Sequence, residues 1–273
     1  MRVAFLGPPG SNSDDAAVAY FGTALDPLPC DSFAACFAAV AEGAADRALV
    51  PIENALAGSI HQNYDLLLRH VLHIIGEHNF YVRHNLLAPP GVPVSAIRRV
   101  VSHPQALEQC DRYLTALGVE REPVAATTLA ARQVRDSGAR EVAAIAGTRA
   151  AVLYGLAVLA AGIEDSAENF TRFLVLARAP ETPPAGVPAK TSLVFTLENV
   201  PGSLFAALGV FARRGLNLSK IESRPWRERR WEYLFYLDFT AGLDAPAARD
   251  ALQELESMAP LLRVLGSYRQ APG

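Results

Sequence analysis

Ala179-Pro180-Glu181-Thr182-Pro183-Pro184-Ala185-Gly186-Val187-Pro188-Ala189-Lys190 divides the chain. Its prolines and Gly186 interrupt every apolar period, and a segment that can bury no regular face reads as an extended linker. The two sides follow different patterns. After it, the expected order is strand Thr191 to Leu197, helix Ser203 to Arg214, strand Leu216 to Ser223, turn Arg224 to Arg230, strand Trp231 to Phe239, helix Ala245 to Met258 and strand Leu261 to Tyr268. That order is the βαββαβ, ferredoxin-like arrangement. Before the linker, short apolar runs (Val3 to Leu6, Ala48 to Ile52, Leu72 to Gly76, Arg98 to Val101, Val142 to Ile145) alternate with helical patterns such as Tyr64 to Leu72 and Ala106 to Leu117. Such alternation predicts an α/β unit with largely parallel sheets. Asn79 to Ala88 reads as a strand crossing outward and Phe173 to Leu176 as the return, so this unit is expected to have two lobes with a crevice at the carboxyl ends of its strands.

The 273 residues, 51% hydrophobic and 19% charged, are ordinary for a soluble globular protein with substantial cores. A net charge of -3 gives no electrostatic reason to expect nucleic acid, and a small-molecule partner is the better expectation. The first apolar run is cut short at Gly7-Pro8-Pro9-Gly10, which fits neither a signal peptide nor a spanning helix; no membrane partner and a cytoplasmic location are expected. Cys30, Cys36 and Cys110 lack paired metal-ligand spacing and read as buried thiols. The histidines, 61, 70, 73, 78, 84 and 103, include an i, i+3 pair without a third ligand, so no metal is expected and most are read as solvated helix faces.

Four polar corners stand at strand ends. Gly7 to Ser13 joins a strand to a helix, lacks the lysine of a P-loop and suits a carboxylate better than a nucleotide; Ser13 reads either as the helix cap or as a ligand contact. Glu53-Asn54 places an acid beside an amide, and Glu53 is either a proton carrier with a pKa raised by desolvation or a brace for the corner. Ser102-His103-Pro104-Gln105 reads as strand end, cap and first helical turn, with Gln109 two turns on and His103 structural. Asn169-Phe170-Thr171-Arg172-Phe173 sets an amide, a hydroxyl and a guanidinium before an apolar run. Beyond the linker, Asn199 to Leu204 opens a helix, either as a ligand loop with Ser203 capping or as an ordinary turn.

In this order, Val50-Pro51-Ile52-Glu53-Asn54, Gly58-Ser59 with Tyr64-Asp65-Leu66-Leu67, Ser102-His103-Pro104-Gln105, Leu153-Tyr154-Gly155-Leu156 and Asn169-Phe170-Thr171-Arg172-Phe173 resemble the prephenate dehydratase family, including the related arogenate dehydratases. The resemblance covers nearly the whole chain and implies a two-lobed, periplasmic-binding-protein-like catalytic domain over 1–178 with mixed, mainly parallel sheets. A linker over 179–190 and a ferredoxin-like ACT regulatory domain over 191–273 complete it. The expected form is the monofunctional one, with no chorismate mutase segment and no cofactor.

The family reaction converts prephenate to phenylpyruvate with loss of carbon dioxide and hydroxide, and aromatisation drives it. The resemblance implies that Thr171 is the catalytic hydroxyl, with Glu53 as a candidate proton source, and that Asn54 and Gln109 are active-site amides. Ser11, Ser13 and Ser102 would add substrate contacts, Arg172 would grip the side-chain carboxylate, and Phe173 would form the apolar wall against which the ring carboxylate is lost. Pro201, Gly202, Ser203, Leu204, Glu222, Ser223 and Arg224 resemble the family's phenylalanine-sensing motifs, which implies feedback inhibition at an interface in a homodimer or homotetramer. Asn12 and Ala55 depart from the family pattern, where an aromatic and a hydroxyl residue are usual. Two other readings stay open: an arogenate dehydratase, and a two-lobed solute-binding protein fused to a sensory domain.

Overall fold

A computed structural model describes residues 1–272 apart from positions 167, 185, 227, 228 and 230. The expected turn at 224–230 and the linker at 179–190 therefore lie partly outside the described residues. The chain gathers into two compact units: Met1–Cys36 with Leu49–Ile60 and Asn79–Phe173, and Phe37–Ala48 with His61–His78 and Leu174–Gly273.

The elements run β1 (Arg2–Leu6), α1 (Asn12–Phe21), β2 (Asp26–Cys30), α2 (Phe33–Ala41), β3 (Arg47–Asn54), the short β4 (Gly58–Ser59), α3 (His61–Arg69), β5 (His73–Tyr81), β6 (Asn85–Ala88), β7 (Arg99–Ser102), α4 (Pro104–Gln109), α5 (Asp111–Leu117), β8 (Glu120–Pro123), α6 (Thr127–Ser137), β9 (Val142–Ala146), α7 (Thr148–Tyr154), β10 (Ala157–Ala160) and β11 (Phe170–Ala177). One sheet has the order β2-β1-β3-β11-β5 with β4 on β3, and a second has the order β10-β6-β9-β7-β8. Both the parallel pairs (β1 with β2, β7 with β8 and β9) and the antiparallel pairs (β6 with β9 and β10) make the architecture mixed.

The second sheet shows why these strands form. Adjacent residues face opposite ways along a strand. Leu86, Val100, Ala143 and Ile145 pack with Leu107 and Leu114 of α4 and α5, while Leu87, Val101, Ala144 and Ala146 pack with Ala130, Val134 and Ala150 of α6 and α7. Helices on both faces account for the continuous apolar run of β9, all of whose residues are buried. The chain leaves and re-enters the first sheet through two crossings, one after β5 and one before β11. Val82 N–H donates to the Asn169 carbonyl at 2.8 Å and ties them together.

The remaining elements are β12 (Ala189–Thr196), α8 (Ser203–Ala212), β13 (Leu218–Pro225), β14 (Tyr233–Phe239), α9 (Pro246–Met258) and β15 (Leu262–Arg269), with sheet order β13-β14-β12-β15 and all three neighbouring pairs antiparallel. This is the ferredoxin-like βαββαβ unit. β12 begins two residues before the expected strand. Leu193, Phe195, Leu237 and Phe239 meet Ala207, Val210, Phe211, Ala251 and Leu255 on one face of this sheet. Truncating a buried Phe211 to alanine would cost about 3–5 kcal/mol. Gly266 is required by a close approach, since a β-carbon there would lie 2.0 Å from the Ile74 carbonyl oxygen. Among the described residues no helix is long and apolar enough to cross a membrane.

Candidate active site

Asn169, Thr171 and Phe173 share one face of the β11 segment, and Phe170 and Arg172 take the other. The first three line a cavity of about 450 Å³, within the roughly 300–1,000 Å³ of small-molecule clefts. Asn54 at the end of β3 reaches into the same cavity, as do Ser11, Ser13 and Gln109. Phe173 is 2% exposed and stands edge-on to Phe80, with ring centroids 6.3 Å apart, to form an apolar wall with Leu6, Pro51, Ile60 and Val82.

Polar contacts connect these groups in a chain. The Asn54 side-chain oxygen accepts the backbone N–H groups of Leu56 (3.0 Å) and Ala57 (2.9 Å). Backbone amides can only donate, so the Asn54 NH2 group must turn toward β11, where it meets Thr171 Oγ1 at 3.0 Å and Asn169 Oδ1 at 3.2 Å. Asn169 Nδ2 then donates to Gln109 Oε1 at 3.0 Å, and His84 Nε2 lies 2.8 Å from that same oxygen.

One expected catalytic residue, Glu53, and two expected substrate contacts, Arg172 and Ser102, do not line the cavity. Glu53 and Arg172 are one position out of phase with Asn54 and Thr171, so they miss the cavity wall and pair with each other at 3.2 Å. Proton delivery by Glu53 and a carboxylate grip by Arg172 do not fit that placement. Ser102 is fully buried and donates to the Ile145 carbonyl at 2.7 Å, a bond to the neighbouring strand's backbone rather than to the cavity. Two caps also differ from expectation. Ser11 rather than Ser13 caps α1, accepting from Asp14 N–H at 3.3 Å. Gly202, at φ 86°, occupies the cap position of α8 in a left-handed conformation suited to glycine, which makes Ser203 the first helical residue.

Sequence reasoning missed His84 and the start of α6, and read His103 as the α4 cap, which it is, without its place at the cavity edge. His84 is 3% exposed on the first crossing; burial lowers its pKa, against which the Gln109 hydrogen bond and the Glu164 charge act. His103 caps α4 by accepting Gln105 N–H on Nδ1 at 3.2 Å, so the neutral ring carries its proton on Nε2 at the cavity edge. The start of α6 lines the cavity through Ala125, Ala126, Thr127 and Thr128, and no side chain caps its first amides. Free amides and the positive end of a helix dipole suit a carboxylate. The Gly7–Ser13 loop is less available, because the buried Asp14 carboxylate already takes Gly10 N–H at 2.7 Å. Asp15 borders a separate hollow of about 350 Å³ with Tyr81, Arg83 and Thr148. Burial and the neighbouring Asp14 charge push its pKa up to about 7, against the pull of Arg149.

Residues 3–181 match the family model described as prephenate dehydratase. The chain belongs to the prephenate dehydratase family. Residues 191–257 match the ACT domain model. The chain is 49% identical over 277 residues to arogenate dehydratase/prephenate dehydratase 2, chloroplastic, of Arabidopsis thaliana, a match that covers 98% of this chain and 72% of that protein. A solved prephenate dehydratase of Arthrobacter aurescens in complex with L-Phe superposes with a TM-score of 0.90 at 33% identity, covering 99% of this chain and 90% of that one. Another solved structure, GqqA, described as a novel type of quorum quenching acylase, superposes at 0.92 with 36% identity and covers 100% and 99%. Membership of the prephenate dehydratase family makes the protein a hydro-lyase of aromatic amino acid biosynthesis.

In this family member the expected effector residues occupy two features of the ACT unit. Pro201 and Gly202 lead into Ser203 and Leu204 in the first turn of α8, beside an outward-facing Phe205 that is 83% exposed. Glu222, Ser223 and Arg224 lie on β13. There Glu222 lies 3.3 Å from His61 Nε2 and Arg224 pairs with Asp65 at 3.7 Å, so this strand meets α3 through two polar contacts.

Proposed function

We propose that the protein is a prephenate dehydratase, converting prephenate to phenylpyruvate, carbon dioxide and water, with phenylalanine as feedback effector. The observation that carries this reading is the Asn54-to-Thr171 hydrogen bond inside the cavity. With Thr171 Oγ1 accepting from an amide, its own hydrogen is available to the ligand. As the ring carboxylate leaves, its bonding pair enters the ring and the C–O bond to the ring hydroxyl breaks. Thr171 donates a hydrogen bond to that departing oxygen while negative charge develops, and a solvent proton completes water. Holding the ring carboxylate against the Phe173 wall leaves it poorly solvated, which favours its loss. The side-chain carboxylate fits the free amides of α6 and the His103 Nε2–H.

The substrate preference follows from Gln109. Its oxygen takes hydrogen bonds from Asn169 and His84, so its NH2 group is the part left for the ligand. A donor suits the keto oxygen of prephenate and not the ammonium of arogenate. Acyl transfer, the activity in GqqA's description, would need a base at the nucleophile's proton, whereas the group on Thr171 Oγ1 is an amide donor. A cytoplasmic location and a homodimer or homotetramer belong to the same proposal. The test is to compare kcat/KM for prephenate and arogenate with purified protein, then repeat the prephenate assay with added phenylalanine. A higher value for arogenate would overturn the substrate assignment, and recovery of both compounds unchanged would overturn the enzymatic reading.

A further inference from the structure

The side-chain hydrogen bonds around Gln109 form a directed series whose first member is unambiguous. Backbone N–H groups occupy the Asn54 oxygen, which sends the Asn54 NH2 to three acceptors, Thr171 Oγ1, Asn169 Oδ1 and the Phe170 carbonyl. A reversed Asn169 would turn its NH2 against that of Asn54, so its oxygen faces Asn54 and its own NH2 faces Gln109, whose oxygen accepts. A reversed Gln109 would set two NH2 groups against each other and lose the hydrogen bond from Asn169. His84 Nε2, 2.8 Å from the same oxygen, therefore carries a hydrogen. Two donors on one carbonyl oxygen use both of its lone pairs and fix the plane of the amide.

We propose that His84 is a positioning residue that determines substrate choice. Its Nε2–H fixes the Gln109 amide with the NH2 group toward the ligand, so the site accepts a keto oxygen in preference to an ammonium. The inference rests on the dehydratase reading and deepens it. The local backbone supports it at each member: Ile163 N–H donates to the His84 carbonyl at 3.0 Å, Asp165 N–H to the Gln109 carbonyl at 2.7 Å, and Val82 N–H to the Asn169 carbonyl at 2.8 Å. The charged group at the ring's back is Glu164, whose Oε2 accepts the His84 backbone N–H at 2.9 Å and not a ring nitrogen. The burial of the ring keeps its neutral form in favour. A neutral imidazole bearing Nε2–H leaves Nδ1 without a hydrogen.

The experiment has a spectroscopic and a kinetic arm. In the wild-type protein near neutral pH, long-range proton–nitrogen NMR should find His84 in the Nε2–H tautomer; an Nδ1–H tautomer overturns the proposal without any variant. Kinetically, His84→Leu is expected to lower kcat/KM for prephenate about ten- to a hundred-fold while lowering that for arogenate less, below the cost of deleting a donor outright because Gln109 is misaligned and not removed. His84→Gln, which keeps an N–H at similar reach, should recover most of the loss and serves also if the leucine variant folds poorly. In a Gln109→Leu background, His84→Leu should add little, because the residue acts through Gln109. An undiminished effect in that background, an unchanged prephenate-to-arogenate ratio, or no recovery with glutamine overturns it. Failure of the wild type to turn over either substrate overturns the dehydratase reading instead, and the tautomer measurement stands apart from that result.

Discussion

Asn54 donates its side-chain amide to Thr171 Oγ1 at 3.0 Å while its own oxygen holds the turn at Leu56 and Ala57. The hydroxyl is thus oriented by a group that cannot take its proton, as a hydrogen-bond donor requires and a nucleophile does not. Thr171→Ala should lower kcat by about two to three orders of magnitude, the usual cost of one preorganised donor, with little change in thermal midpoint. Thr171→Ser should retain part of the activity. Wild-type turnover in the alanine variant would remove Thr171 from the mechanism.

Asn54→Asp tests direction rather than presence. The carboxylate is nearly isosteric but acceptor-only, so Thr171 would donate to it instead of to the substrate. Steady-state kinetics should give a kcat lower by about a hundred-fold or more, on the same scale as loss of the donor itself. An active aspartate variant would show that the orientation of this hydroxyl is unimportant.

Glu53 and Arg172 form a pair on the other strand face. Glu53→Gln should leave kcat within a few-fold of wild type at every pH and lower the thermal midpoint by a few degrees, as expected for a partly buried ion pair weakened by about 1 kcal/mol. A steep loss of kcat with altered pH dependence would restore Glu53 as the proton source.

The uncapped start of α6 gives a prediction that separates binding from chemistry. Ala126→Asp adds a capping carboxylate where the substrate carboxylate is proposed to sit, and should stabilise the helix by about 0.5–2 kcal/mol. KM for prephenate should rise markedly, with a smaller change in kcat. An unchanged KM would move the carboxylate site elsewhere.

Asp15 makes stability depend on pH. Its pKa is raised in the folded state from 3.8 to about 7, so the folded chain holds this proton more tightly than the unfolded chain does. Stability is therefore greatest below pH 4 as far as this group is concerned, and is lost as pH rises toward 7. Asp15→Asn mimics the neutral form and should raise the thermal midpoint at pH 8 while making little difference at pH 4. A variant no more stable at pH 8 would refute the assignment.

Much of the fold was legible because burial leaves a period. The alternating Leu86-Leu87 and Val100-Val101 pairs serve the two covered faces of one sheet, and the βαββαβ order follows from pattern and loops. Motifs at the end of β3, at the end of α4 and at the start of β11 pointed to Asn54, Gln109 and Thr171, which line one cavity. It was misread where neighbours in sequence were taken as neighbours in space: Glu53 beside Asn54, and Arg172 beside Thr171, face opposite ways because a strand alternates. Ser102 was hidden by a different effect, since only the packed sheet reveals that its hydroxyl serves Ile145. His84 carried no signal at all, as its role depends on Gln109, 25 positions away.

The bond from Val82 to the Asn169 carbonyl locks together the two places where the chain passes from one sheet to the other. His84 lies two residues past Val82 and Thr171 two residues past Asn169, so the proposed positioning and donor groups flank that bond. The ordering entropy of those side chains is then spent during folding and not at each encounter with a ligand.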